Sequence, residues 1–333
     1  MRDLACFGLA LVLTGAACSV THGASAPSYD DAFWKHWGDG QAELSGYELT
    51  YPRYGEERSG TAVTVVVTET FSHRARVKSE DPSRPEQDTY PVLKLNLVQD
   101  FPTGIYDYNL MTSAFVALAD PDGRGAGRAT KISFSAQEWC GQAYSQLRFD
   151  RDAVRLTSHS YFDGEADRTA TLDAPAGGIA EDVLLLWARG LAAPLLDPGR
   201  EVEVPLLRSL ELARLGHVPV SWERVKLSRS AEARARTVPA GTFEVDELQA
   251  AVPARTERRD YPPSRPEVTL PGRTWTFWVE RNPPRRLVAW SRDDGVRAEL
   301  VGTTRAAYWQ MQGREMERAV ERLGLRPRPP RTP

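Results

Sequence analysis

The sequence predicts a mainly-β protein, built on a large curved antiparallel sheet or half-barrel with a few helices. Apolar residues alternate with polar ones over most of the chain, as at Val63, Val65 and Val67. This period of two is typical of strands with one buried face. Turn-forming sequences such as Asp293-Asp294-Gly295 separate the alternating segments. Because few segments have a helical period, parallel winding through βαβ units is not expected.

Three helices are predicted between the strands, at residues 30–37, 180–191 and 306–323. In the first, Asp30 or Asp31 caps the helix and three aromatic residues share one face. That face either closes one end of the core or rests on a membrane surface. The core is favoured because the segment lacks a basic flank.

The chain divides into a leader, a tether, one domain and a tail. The predicted boundaries are 1–17 for a signal peptide, 18–29 for a flexible tether, 30–324 for the mainly-β domain and 325–333 for a disordered, proline-rich tail. Within the domain, the 180–191 helix separates two strand-rich halves, 30–178 and 192–324. The sequence leaves open whether the halves form one sheet or two.

The N-terminal segment is an export signal. Arg2 supplies a positive charge, and the apolar run Leu4–Leu13 is too short to span a bilayer. Small residues then lead into Cys18, an arrangement that resembles a bacterial lipoprotein signal, although Gly15 stands where such signals usually have leucine. The resemblance implies that Cys18 is lipidated and that its lipid anchors the protein in a membrane.

Ordinary signal-peptidase cleavage after Ala17 is the alternative, since small residues also suit that enzyme. With lipidation, Ser19 favours an outer-membrane lipoprotein facing the periplasm. Without it, the protein is periplasmic or secreted. In both cases Cys140 is the one cysteine left in the exported domain, so no disulfide can form within it.

Composition limits the possible function classes. The chain has a net charge of −3, is 41% hydrophobic and 26% charged, as expected of a globular domain with a substantial core. It lacks the clustered basic surplus of a nucleic-acid binder. No HExxH, GxSxG, GxxxxGK[ST] or CxxC motif occurs, and the five histidines have no ligand spacing, so neither a metal nor a cofactor is predicted.

Two segments deserve a chemical interpretation. The glycine-rich segment 120–127 could be a phosphate cradle, but a strand-like sequence follows it where a cradle needs a helix, so a hairpin loop is predicted. Cys140, with Glu138, is a weak catalytic candidate. A nucleophilic thiol needs a nearby base such as a histidine, and an inert thiol is the alternative.

Aromatic and other large side chains form the predicted ligand-binding surface, since tyrosine hydroxyls on a curved sheet suit an amphipathic ligand. The predicted residues are Tyr106, Tyr108, Met111, Trp139, Tyr144, Tyr161, Phe162 and Trp278. The alternative is that they fill the core.

Several motifs resemble an uncharacterised family of exported bacterial proteins. They are Trp37–Glu43, Tyr51–Gly55, Val92–Asn96, Thr103–Tyr108 and Ser135–Gly141, the last containing the block QEWCG. Members sometimes carry the label "septum formation inhibitor Maf". True Maf proteins are cytoplasmic nucleotide pyrophosphatases with an α/β fold, which this sequence does not predict. The resemblance therefore implies no established activity.

The C-terminal half resembles half-barrel envelope proteins related to lipoprotein carriers, through Val238–Phe243 and Trp278–Leu287. Such proteins hold acyl chains between a curved sheet and helices. The resulting hypothesis is a non-enzymatic cell-envelope lipoprotein that binds an amphipathic ligand or a partner protein. An exported enzyme using Cys140 and a purely structural adaptor are the alternatives.

Overall fold

Strands dominate the computed structural model, which describes residues 24–81, 83–258 and 267–327. Strands account for 54% of the residues and helices for 13%, so the predicted mainly-β class is confirmed. The sheet is curved, open and antiparallel in nearly all its pairings.

The strands are numbered β1 to β20 along the chain. Their bounds are Ala24–Ser25, Ala42–Arg53, Glu56–Ser72, Thr89–Thr103, Tyr106–Ala117, Ala129–Glu138, Gly141–Phe149, Ala153–Ser160, Arg168–Asp173, Ile179–Ala180, Leu195–Leu196, Glu201–Leu207, Trp222–Arg229, Arg234–Val238, Gly241–Val252, Arg255–Arg258, Glu267–Leu270, Arg273–Glu280, Leu287–Arg292 and Arg297–Ala306.

One sheet of sixteen strands contains both predicted halves. Strands β2 to β9 follow one another as an antiparallel meander, and β20 pairs with β2 to join the C-terminal strands to it. The β19–β20 hairpin predicted at Asp293–Gly295 is confirmed. Within the described residues the sheet ends at β9 on one side and at β10, which pairs in parallel with β12, on the other.

In a meander, alternate connections lie at opposite ends of the strands, and each of these two ends is called an edge here. One edge, called here the turn edge, carries the short turns 54–55, 104–105 and 139–140 and the longer turn 161–167. The opposite edge, called the loop edge, carries the connections 73–88, 118–128, 150–152 and 174–178. The glycine-rich segment lies in the second of these, between β5 and β6, as predicted.

The helices are α1 Asp31–Trp37, α2 Leu184–Ala188 and α3 Leu210–Gly216, with 3₁₀ helices at Glu86–Asp88, Glu181–Val183, Tyr308–Gln310 and Arg314–Leu323. The predicted N-cap of α1 is confirmed, because the Asp30 carboxylate accepts the Phe33 N–H at 3.0 Å. Sequence analysis missed α3, which Ser209 caps through the Leu212 N–H.

Two predicted helices were too long. In 180–191, Ala180 belongs to β10 and the next three residues form a 3₁₀ turn, while Gly190, at φ +75°, follows the short α2. In 306–323, Ala306 ends β20 and Gly313 precedes a 3₁₀ segment. At the first residue of each predicted helix, Ala180 and Ala306, pairing with a neighbouring strand outweighs helix propensity.

The predicted tether 18–29 overlaps the fold. Ala24 and Ser25 pair with β11, and the Tyr29 hydroxyl donates to the Leu191 carbonyl at 3.0 Å. Packing therefore fixes the last part of this segment. Cys18 and the leader lie outside the described residues, as does 328–333 of the predicted tail.

The core lies between one face of the sheet and α2. All five residues of α2 are buried, and Trp187 packs edge-on against Phe277 with its indole N–H donating to Pro194 O at 2.8 Å. Tyr47 and Trp290 continue the same core. Among the described residues, no helix is both apolar and long enough to cross a membrane.

Buried ion pairs tie this core to the sheet. Glu181 receives two bonds of 2.7 Å from Arg273, and Arg208 donates to Glu223 at 2.6 Å. Removing one partner of such a pair costs about 3–5 kcal/mol, because the other charge stays buried. These pairs fix the segment before α2 against β13 and β18.

Candidate functional site: the turn edge

Each of the four hairpin tips at the turn edge exposes a large hydrophobic side chain. Tyr54 is 58% exposed, Ile105 85%, Trp139 66% and Tyr161 76%. Scattered exposed hydrophobics are ordinary, but a row of them on neighbouring tips is an unusual surface.

Tight turn geometry explains why these side chains are exposed. Tyr54 and Gly55 both have positive φ, +57° and +78°, as in a type I′ turn, and Gly104 has φ +71° at the first position of the next turn. A two-residue turn projects beyond the sheet, so its side chains have little to pack against. The tips therefore present Tyr54 and Ile105 to solvent.

A row of stacked rings supports the tips from beneath. Tyr51 stacks on Phe101 at 4.5 Å between centroids, and Phe101 stacks on Tyr108 at 5.3 Å. Nearer the solvent, Tyr106 stacks on Trp139 at 5.9 Å. This packing restricts the orientation of the Trp139 indole although the side chain is exposed.

Hydrogen bonds hold Tyr54 in the same way. Its hydroxyl lies 2.6 Å from the hydroxyl of Tyr108, to which Arg53 also donates at 3.2 Å. Burial raises the pKa of Tyr108 well above its usual value, so its phenol stays neutral and keeps its proton for a hydrogen bond.

The fourth tip is fastened to α3. Glu165 lies 2.5 Å from His217 Nδ1, and the Arg214 guanidinium lies over the Phe162 ring, 4.0 Å from its centroid. Burial raises the pKa of Glu165, but the hydrogen bond and charge of His217 outweigh it, and the pKa falls below its usual value. Tyr161 packs against Gly141, where any Cβ would meet its ring at 2.7 Å.

Acidic residues surround the aromatic tips. Counting two residues on each side of the turns, the edge holds two arginines, Arg53 and Arg168, and seven carboxylates: Glu56, Glu57, Asp107, Glu138, Asp163, Glu165 and Asp167. Three further arginines, Arg58, Arg214 and Arg297, pair with Glu56, Glu165 and Glu57. The turn edge is therefore apolar at its tips and negative around them.

The structure brings together four of the eight residues predicted to bind a ligand: Tyr106, Trp139, Tyr161 and Phe162. Tyr108 is buried beneath them, where it supports the site without being accessible. Sequence analysis missed Tyr54 and Ile105. The Tyr54-Gly55 and Gly104-Ile105 pairs between alternating segments were the available signal.

The other three predicted residues lie elsewhere. Met111 and Tyr144 are exposed on the opposite face of the sheet, since each is flanked by buried residues in its strand. Trp278 lies on β18, with the Arg236 guanidinium 3.8 Å from its ring centroid and its N–H donating to Glu247. These three do not share the turn edge.

Cys140 is an exposed free thiol within the 139–140 turn. Its Sγ lies 4.0 Å from the Tyr106 hydroxyl, and its backbone N–H donates to Glu138 at 2.6 Å. Glu138 thus orders the turn and does not contact the sulfur as a base would.

The histidines considered as bases for that thiol bind other groups. His36 contacts Arg305, His73 contacts Pro121 O, His159 contacts Asp167 and His217 contacts Glu165. Across the described ranges, no cluster of three metal-ligating side chains occurs.

Together, the fold and the turn edge define a mainly-β protein with an ordered aromatic surface. No protein family, curated protein or solved structure matches the chain.

Proposed function

We propose that this chain is a non-enzymatic, exported binding protein whose turn edge contacts a partner protein with an amphipathic surface. The observation that carries the proposal is the row of four tips, each exposing a large hydrophobic side chain. Tyrosine and tryptophan are the residue types that most often dominate binding energy at protein interfaces.

The size of the turn edge fits a protein partner. The tips span strands β2 to β9, and neighbouring strands lie about 4.8 Å apart, so the row is about 30 Å long. A standard interface buries about 800 Å² on each side, and a square patch of that area is also about 30 Å wide.

The charges favour a protein over a membrane. The turn edge has seven carboxylates against five arginines, and this net negative charge disfavours anionic lipid headgroups. A partner with apolar pockets bordered by basic side chains would complement both the tips and the acids.

The export signal supports a position in the cell envelope. The chain enters the fold at the loop edge, where the Pro27 ring is close to Gly127. With its twelve residues, β5 makes the sheet about 40 Å long. A lipid on Cys18 would therefore hold the loop edge near the membrane and leave the turn edge facing the periplasm. Mass spectrometry of the mature N-terminus tests the anchor, and an unmodified Cys18 contradicts it.

Photo-crosslinking in the native envelope tests the partner. A benzophenone amino acid replaces Trp139 in one strain and Trp309, which is 43% exposed away from the turn edge, in a matched control. We expect one discrete adduct from position 139 and none from 309. With the captured protein purified, Trp139→Ser should weaken binding by about tenfold or more, and Trp309→Ser should not.

Two outcomes would contradict this proposal. Equal adducts from positions 139 and 309 would mean non-specific contact. Binding of the pure protein to phosphatidylcholine vesicles, lost in Trp139→Ser, would mean that the tips meet a lipid surface instead. The enzymatic alternative predicts that Cys140→Ser abolishes function while leaving the adduct intact.

A further inference from the structure

We propose that a cleft at the loop edge binds a phosphate group, carried by a small molecule or by a lipid. The cleft has a volume of about 280 Å³ and lies where the connections 118–128, 150–152 and 174–178 meet. It lies at the far end of the sheet from the turn edge and does not depend on the function proposed for that edge.

Three arginines line this cleft: Arg124, Arg128 and Arg151. The lining contains one acid, Asp152, so the cleft has a surplus of positive charge. Across the residues that the structure describes, none of the three arginines forms an ion pair. Arginine is the residue best suited to phosphate, because its planar guanidinium donates two parallel hydrogen bonds.

Backbone carbonyls orient two of the guanidinium groups without neutralising them. Arg124 donates to Ala129 O at 2.8 Å and lies over the Phe149 ring, 5.3 Å from its centroid. Arg128 donates to Gly177 O at 3.1 Å. Each keeps further N–H groups for a ligand.

Nearby acids are committed to other arginines. Asp122 accepts two bonds, of 2.7 and 2.6 Å, from Arg76, and Asp150 accepts one of 2.6 Å from Arg155. Burial lowers the pKa of both Arg124 and Arg128. Their charges are thus held at a desolvation cost that a bound anion would offset.

The rest of the cleft suits a small organic phosphate. Phe149, Val154 and Trp222 give it an apolar wall, and its volume is close to the lower end for ligand pockets. The site is not a glycine cradle before a helix, because the 118–128 connection leads into β6. The arginine side chains supply the charge.

Isothermal titration of the full chain tests the site, with inorganic phosphate and glycerol 3-phosphate as probes. We expect saturable binding of one phosphate per chain. Arg151→Gln should weaken it about tenfold or more. Arg151 makes no side-chain hydrogen bond to the described part of the chain, so this variant should fold normally. Arg297→Gln, at the turn edge, is the matched control and should bind like the wild type.

Vesicles identify the source of the phosphate. Sedimentation with phosphatidylglycerol vesicles but not phosphatidylcholine vesicles, competed by inorganic phosphate and lost in Arg151→Gln, would support a lipid headgroup. Binding of the soluble probes alone would support a free metabolite. The proposal is overturned if neither probe nor vesicle binds, or if Arg151→Gln and Arg128→Gln bind as well as Arg297→Gln.

Discussion

The two edges of the sheet are built from the same strands but differ in what their connections can do. At the turn edge, three of the four connections are two residues long, and their side chains point into solvent. At the loop edge, the connections 118–128, 150–152 and 174–178 meet around a cleft. A meander therefore separates two kinds of surface, an aromatic row suited to contact and an arginine cleft suited to a small anion.

The energies that hold the two edges also differ. The loop edge depends on buried polar bonds around Arg76, whereas the tips of the turn edge are held by ring stacking and by partly exposed hydrogen bonds. Substitutions that remove comparable groups at each edge should therefore change stability by different amounts.

The largest expected effect is at the loop edge. Arg76 is buried and donates to Asp122, Tyr90 and Thr130 at 2.6 to 2.8 Å. We expect Arg76→Met to lower the free energy of unfolding by about 3 kcal/mol, since it leaves these groups without their donor. Urea denaturation measures it. Arg297→Met, which breaks the exposed pair with Glu57, should change nothing measurable. Equal losses would contradict the distinction between the edges.

Gly178, which has no room for a side chain, tests the packing at the loop edge. A Cβ on Gly178 would lie 2.8 Å from the Trp222 ring, which is held by a 2.7 Å bond to Asp173 O. We expect Gly178→Ala to cost about 2 kcal/mol through this overlap and to shift the emission of Trp222. Thermal unfolding and fluorescence report both effects, and a variant as stable as the wild type would show that the loop yields freely.

Beneath the turn edge, Tyr108→Phe removes the hydroxyl shared by Tyr54 and Arg53. The ring stacking on Phe101 remains, so we expect a loss of only about 1 kcal/mol. Hydrogen exchange in the 54–55 turn should also become faster. Tyr144→Phe, on the opposite face, is the control and should leave that turn unchanged.

The smallest effect depends on pH. Because the pKa of Glu165 is lowered in the folded state, its stabilisation is present above the unfolded pKa of about 4.3 and is lost as pH falls through the folded value. We expect Glu165→Gln to lower the free energy of unfolding by up to about 1 kcal/mol at pH 6, and by progressively less as the pH falls through the lowered pKa of Glu165. A loss independent of pH would assign the effect to packing.

The sequence predicted the parts of this fold that depend on local pattern. Alternation marked the strands, Asp30 marked the start of α1, and the Asp293–Gly295 turn marked a hairpin. It could not predict that β20 pairs with β2, because that pairing joins residues about 250 positions apart. The predicted starts of two helices were wrong for a similar reason, because Ala180 and Ala306, the first residue of each predicted helix, belong to strands.

The site was predicted only in part. The residue types alone identified the aromatic side chains of Trp139 and Tyr161. They did not show that Tyr144 and Met111 point to the opposite face of the sheet, because the register with neighbouring strands decides which face a residue takes. The arginine cleft could not be foreseen at all. Its three guanidinium groups come from two connections and become neighbours only when the meander is complete.

Among the residues that the structure describes, β9 is a terminal strand of the open sheet, with backbone groups along its outer side that a foreign strand could pair with. The strand is only six residues long, begins with Arg168 and ends with Asp173, whose carbonyl already accepts the Trp222 N–H. Short length and charged ends make such a border a poor template for fibrils. We therefore expect the open sheet not to polymerise through β9.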